Sequence, residues 1–234
     1  MRCAPHVIGV LLDALATTRE TLEVELNSVD DNPLVDFESG SVLHGGNFHG
    51  AHVCAAMDSL KVAIASVADL LDRQLALLCS PETNGGLPEN LVKGSGPEKL
   101  VHHGFKAMQI SASALTAEAL KLTLPAAAFS RSTESHNQDK VSMGTIAARD
   151  CLRILELTES VAAIGLLATS QAVDLRGPAA CSALSVEMRD AVRERVPTLD
   201  DDRRQDIDIE QVLQLHRDGR LPCLAPSDGS TAEN

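Results

Sequence analysis

Apolar residues recur at three- and four-residue spacing over four long stretches of the chain. From about residue 5 to residue 29, Val7, Leu11, Leu15, Thr18, Leu22 and Leu26 fall near one face, and Glu20, Glu23 and Glu25 lie largely off it. That period predicts an amphipathic helix. A second helix is predicted over about 50–78, with Val53, Met57, Leu60, Ile64, Val67, Leu71 and Leu75 on its stripe. At about 1.5 Å per residue it spans roughly 40 Å. A third is predicted over about 105–124. A fourth covers about 145–172, with Ile146, Cys151, Ile154, Leu155, Thr158, Ala162 and Leu166. Two shorter amphipathic helices follow, over about 184–196 and 207–217.

Polar, glycine-rich crossings separate these helices. In "DDNPLVDFESGSVLHGGN", Pro33 is expected to stop the first helix. The stretch "CSPETNGGLPENLVKGSGPEKLVHHG" is longer than most connections in a compact domain, and loops of that size are usually functional or mobile. "PAAAFSRSTESHNQDKVSMG" separates the third and fourth helices. No strand alternation and no repeat is legible. The pattern predicts an all-α, long-helix bundle over residues 1–178, a helical tail over 179–224 and a disordered end over 225–234. Helices this long in 234 residues would expose large apolar faces alone, so an oligomer is expected.

Composition narrows the packing. Trp and Tyr are absent, and the four phenylalanines are Phe37, Phe48, Phe105 and Phe129. Such a core must interdigitate aliphatic side chains, as Ala- and Leu-rich bundles do. The net charge of −13 excludes a nucleic-acid partner, which needs clustered Lys and Arg. Cys3, Cys54, Cys79, Cys151, Cys181 and Cys223 form no CxxC pair. Most sit in apolar helical patterns as small hydrophobes, so a reducing cytoplasm is expected. No uncharged apolar run is long enough to span a membrane. The second helix carries Asp58, Lys61, Asp69, Asp72 and Arg73, which mark it as part of a soluble protein.

Two crossings concentrate candidate chemistry. "HGGNFHGAHV" holds three histidines and, in Phe48, one of the four rings. His44, His49, His52, His102, His103 and His136 match no metal-ligand spacing, so no metal site is expected. "GGNFHG" fits no phosphate loop, since neither glycine pattern nor preceding strand matches. Its glycines are expected to let the chain turn tightly and present Phe48 to a cavity. "STESHNQDKVSMG" packs Glu134, His136, Asn137, Gln138, Asp139 and Lys140 into seven positions. It is either a solvated loop or an inward polar cluster that holds an amine or the polar tip of a ring.

Taken together, "RCAPHVIG", "ELNSVDDNPL", "GGNFHG", "STESHNQDKVSMG" and "SQAVDLRG" resemble, in order, the landmarks of the aromatic amino-acid ammonia-lyases and 2,3-aminomutases. This is the superfamily of the histidine, phenylalanine and tyrosine ammonia-lyases. "VRERVPTLDDDRRQDIDIEQV" is similar to its C-terminal end. The form "ESHNQDKVSMG" resembles the tyrosine and phenylalanine enzymes and aminomutases more than the histidine enzymes. The resemblance implies a fumarase/aspartase-like helical bundle and a homotetramer whose sites draw on three chains. It also implies 4-methylidene-imidazol-5-one (MIO), an electrophile formed from an Ala-Ser-Gly triad. By motif match, Arg2 would bind the substrate carboxylate, a task suited to a two-pronged guanidinium. Asn32 would support the electrophile, and Phe48 would pack against it and the substrate. Glu134, Asn137 and Gln138 would contact the amine, the electrophile's surroundings or the ring substituent.

The chain departs from the family in two respects. It holds no Ala-Ser-Gly triad and no tyrosine, and in the family both the triad and the catalytic tyrosine loop lie upstream of the Arg-Cys motif. The chain therefore resembles the C-terminal half, forming no electrophile itself. The expectation is a subunit that acts with a complementary N-terminal chain on an aromatic amino acid, with tyrosine or phenylalanine favoured over histidine. The alternatives are a truncated product and a non-catalytic scaffold or regulatory homologue.

Overall fold

The computed structural model describes residues 2–94 and 96–222, with backbone alone at residue 98. Cys223 and the segment 225–234 lie outside the described residues. The helices are α1 (Ala4–Leu26), α2 (Ala51–Cys79), α3 (Lys106–Lys121), α4 (Gly144–Arg176), α5 (Ala183–Arg193) and α6 (Asp206–Arg217). All six predicted helices are present and the fold is all-α. No helix among the described residues is long and apolar enough to cross a membrane.

Helix ends differ from expectation where side chains compete for the backbone. α1 stops at Leu26, well before Pro33. There Asn27 Nδ2 donates to the Glu23 carbonyl at 2.7 Å and Ser28 Oγ to the Val24 carbonyl at 2.8 Å. These residues satisfy the orphan carbonyls of the last turn. α4 runs past Ala172 to Arg176, where Gly177 takes φ 89°. Glycine adopts that positive φ freely, and Pro178 after it cannot continue the helix.

A short hairpin, unseen in the sequence pattern, joins α1 to α2. β1 (Leu34–Asp36) pairs antiparallel with β2 (Ser41–Leu43), with Val35 opposite Val42. Asp36 holds the turn by accepting from the Glu38 amide at 3.0 Å and from the Ser39 hydroxyl, and Gly40 takes φ 69°.

The chain divides into two compact units. The first comprises Met1–Leu70 and Leu115–Thr158. Its core packs Leu60, Ile64 and Ala65 of α2 with Ala119 of α3 and Cys151, Ile154 and Leu157 of α4; Leu11 and Ala14 of α1 lie against it. Ile154 and Ala65 are fully buried. Two of the α2 charges that mark it as soluble turn inward. Lys61 is 0% exposed, and Asp58 of this unit is also buried. Lys61 Nζ lies 2.8 Å from Asp58 and donates to the Leu124 carbonyl at 2.9 Å. Burial of an ion pair is tolerable only with such partners.

The second unit comprises Leu71–Ala114 and Glu159–Asn234. Buried Asp72 accepts from the Ser113 hydroxyl at 2.8 Å. Gln171, fully buried, donates to the Leu199 carbonyl at 2.9 Å and accepts from the Leu199 amide at 3.0 Å. Asp174 lies 2.6 Å from Arg189 and 2.8 Å from Arg193. Burial pushes the Asp174 carboxyl up, but Arg189, Arg193 and Thr198 outweigh it and hold it below its ordinary value. Asp202 accepts from the amides of His103 and Gly104 at 2.7 and 2.9 Å. Gly104 is fixed by space: a Cβ there would sit 2.5 Å from the Asn90 carbonyl oxygen.

Candidate functional site

Both candidate crossings belong to the first unit. In the crossing before α2, Asn32 Oδ1 accepts from the Gly45 amide at 3.0 Å, and Asn47 Nδ2 donates to the Asp31 carbonyl at 3.3 Å. These two bonds staple residues 31–32 to residues 45–47 across the hairpin. Gly45, Gly46 and Gly50 are absent from the positive-φ residues, so the chain turns here without left-handed backbone at its glycines. The close requirement is at Gly45 instead, where a Cβ would meet Asn47 Oδ1 at 3.3 Å. Phe48 follows at 39% exposed. A cavity of about 450 Å³ at this end is lined by Glu20, Thr21, Val24, Glu25, Ser28 and His52, and not by Phe48.

The crossing before α4 is built as a ladder. Ser130 Oγ donates to the Val141 carbonyl at 2.6 Å and accepts from the Val141 amide at 3.2 Å. One rung further out, the Thr133 amide donates to the Gln138 carbonyl at 3.0 Å, and the Gln138 amide donates to Thr133 Oγ1 at 3.0 Å. Inside that rung, Ser135 and His136 take φ 52° and 56°. Left-handed backbone costs a residue with a Cβ about 1–2 kcal/mol, so the ladder holds a strained tip. Glu134 and Asn137 are exposed and Gln138 is half-buried.

The two crossings meet where α2 and α4 begin. A Cβ on Gly144 would sit 3.7 Å from the Gly50 carbonyl oxygen, and one on Gly50 would sit 4.0 Å from Ser142 Oγ. The structure thus gathers the segments of Asn32, Phe48 and Glu134–Gln138 at one end of the unit. Arg2 is not gathered with them. Leu11 and Leu15 share a cavity with Leu60, Ile64 and Val67, whereas Val24 and Ser28 share one with His52. α1 and α2 therefore run antiparallel, and Arg2 precedes the far end of α1. Its 23 residues span roughly 35 Å at about 1.5 Å each. Arg2 and Phe48 of one chain cannot grip the same amino acid.

Sequence reading missed Asp58 and Lys61. Their i,i+3 spacing, one turn after Cys54 on the apolar face, was the available signal. Burial pushes the Asp58 carboxyl up, but Lys61 and the Ala126 and Ala127 amides outweigh it and hold it below its ordinary value. Among the cysteines, Cys54, Cys79 and Cys151 are buried, and burial pushes the Cys79 thiol up to about 12.

The model of the aromatic amino acid lyases matches residues 1–194. The chain belongs to the aromatic amino acid lyase family. As a lyase-family chain it is 41% identical to the histidine ammonia-lyase of Natranaerobius thermophilus over 94% of its own length and 43% of that protein's. It is 42% identical to the tyrosine ammonia-lyase of Cupriavidus metallidurans, over 94% of this chain and 41% of that protein. The tyrosine aminomutase structure from Streptomyces globisporus matches with a TM-score of 0.85 at 39% identity, over 92% of this chain and 40% of that one. Histidine ammonia-lyase from Trypanosoma cruzi matches with a TM-score of 0.86 at 34% identity, over 93% and 42%. The lyase-family chain spans about two fifths of the length of these relatives. The resemblance carried by the ordered motifs is borne out at the level of family and fold.

Proposed function

We propose that this chain supplies part of an ammonia-lyase or 2,3-aminomutase site for an aromatic amino acid, shared between polypeptides. The observation that carries the reading is the division of the candidate residues. Asn32, Phe48 and the Glu134–Gln138 segment share one end of the first unit, and Arg2 lies roughly a helix length away. Only an assembly can bring an arginine and a phenylalanine so placed onto one substrate. The exposed apolar side chains of α1, including Val10, Leu12, Val24 and Leu26, supply a surface for such assembly.

The residues present fit the electrophile the family uses. An exposed amide at Asn32 and an exposed ring at Phe48 offer a polar contact and a flat apolar wall. MIO, when present, would supply an electron-poor carbon toward the substrate amine or ring. This chain holds no Ala-Ser-Gly triad, so the group would come from the complementary N-terminal portion. Arg2 would hold the substrate carboxylate through paired charge-assisted bonds. Phe48 would press the ring into place and exclude water. Glu134 would hold a proton at the amine, and Asn137 and Gln138 would orient it. The "HNQD" form and the tyrosine ammonia-lyase and tyrosine aminomutase relatives support tyrosine or phenylalanine, and the histidine ammonia-lyases make histidine the control substrate.

The test co-produces the chain with a complementary N-terminal portion carrying the triad. Tyrosine, phenylalanine and histidine are assayed for arylacrylate absorbance, ammonia and β-amino acid. Arg2→Ala should lower kcat/KM by about ten- to a hundredfold, the worth of a bond to a charged group. Absence of turnover on all three substrates would reject the reading. Turnover indifferent to both Arg2→Ala and Phe48→Ala would instead favour a scaffold role.

A further inference from the structure

The buried ion pair of α2 acts on the crossing that carries Glu134, Asn137 and Gln138. Lys61 Nζ donates to the Leu124 carbonyl at 2.9 Å, 2.8 Å from Asp58 Oδ1 and 3.7 Å from Asp150. Asp58 accepts from two consecutive amides, Ala126 at 3.0 Å and Ala127 at 3.1 Å. Three backbone groups within Leu124–Ala127 are therefore fixed to a single turn of α2. The far end of the crossing is referenced to the same place. Met143 and Ala147 pack with Cys54, whose thiol lies 3.8 Å from Asp58 as its donor. Between these anchors, the Ser130–Val141 and Thr133–Gln138 bonds carry the geometry out to the tip.

Stability alone does not call for this arrangement. Each buried ion costs several kcal/mol in lost hydration, and apolar replacement of a buried pair is often neutral or stabilising. Apolar contact, however, is non-directional. Two carboxylate oxygens on two successive amides, with an ammonium on the preceding carbonyl, fix the height and rotation of the segment on α2. α2 is also the helix whose start follows Phe48.

We propose that Asp58 and Lys61 are positioning residues, which set the 124–143 crossing in register with the start of α2 and so place Glu134, Asn137 and Gln138 relative to Phe48. The consequence for turnover rests on the shared-site reading above; the structural role does not.

The test uses Asp58→Asn and the double variant Asp58→Asn/Lys61→Met, which removes both charges together and spares the core an unpaired ion. Amide hydrogen exchange is read along the intact chain. In the wild type, the Ala126 and Ala127 amides should exchange as slowly as the buried helix interiors. Wild-type exchange there at open-loop rates overturns the proposal, and this arm needs no variant to fold. In both variants, exchange over 126–141 should rise at least about tenfold while residues 154–167 of α4 keep their protection. Unchanged exchange in the crossing, or an equal loss in α4, overturns it. In the co-assembled enzyme, the double variant should lower kcat about tenfold with KM within about threefold. A fall confined to KM would overturn the positioning role. If the wild-type assembly is inactive, the shared-site reading fails, and the exchange result still decides the role of Asp58 and Lys61.

Discussion

α1 and α4 are both long and aliphatic, yet they meet opposite fates. In α4, Ile154, Val161, Ile164 and Leu167 are at most 3% exposed. In α1, Thr18 is the buried residue, while Val10, Leu12, Val24 and Leu26 are 60% exposed or more. A helix has one stripe to give its own core, and α1 gives Leu11 and Ala14. Val10, Leu12, Val24 and Leu26 stay exposed among the described residues. Periodicity therefore reports that a helix forms; it does not report whether the covering surface belongs to the same polypeptide.

The contrast can be broken or sharpened by substitution. The largest effect is expected at the buried Asp58–Lys61 pair of α2. Lys61→Met leaves Asp58 buried without its cation and should cost about 3–5 kcal/mol in urea unfolding of the chain. Adding Asp58→Asn should recover part of that loss, since both charges are then gone. Next, Ile154→Ala, in the α4 core, should cost about 2–5 kcal/mol by the same measurement.

A smaller effect is expected from acid. Asp58 and Asp174 have folded-state values held below the ordinary carboxylate range. As pH falls, the unfolded chain takes up these protons first, near about pH 3.9. Their contribution is thus complete above that value and is lost as pH falls through the lower folded values. Unfolding midpoints from about pH 6 down to pH 3 should drop in the wild type, and less steeply in Asp174→Asn. The smallest effect on the isolated chain is expected at Leu12→Ala, within about 0.5 kcal/mol, because that side chain is 60% exposed. Its effect should appear in assembly, read by light scattering or sedimentation. A loss at Leu12 as large as that at Ile154 would erase the distinction between the helices.

The helices were legible because their apolar period is long and unbroken. The hairpin was not, because three-residue strands hold too few alternations to register. Nor was the burial of Lys61, since a charged side chain among apolar residues reads as a soluble face until its partner atoms are known. Those partners, the Leu124 carbonyl and the Ala126 and Ala127 amides of Asp58, lie more than sixty positions away. For the candidate site, the motifs name two crossings that the structure brings together where α2 and α4 begin, and the Ser130–Val141 bonds show how "STESHNQDKVSMG" is held. The separation of Arg2 from Phe48 was invisible, because it depends on α1 and α2 being antiparallel.

That separation is the centre of the account, and mixing variants tests it most directly. Chains carrying Arg2→Ala and chains carrying Phe48→Ala are each assembled with the complementary N-terminal portion, and then produced together. Each single-variant assembly should keep about a tenth of the wild-type rate or less. The mixed assembly should recover about a quarter of the wild-type rate, since about a quarter of sites would draw an intact Arg2 and an intact Phe48 from different chains. A mixed assembly no more active than its two components would contradict a site shared between copies.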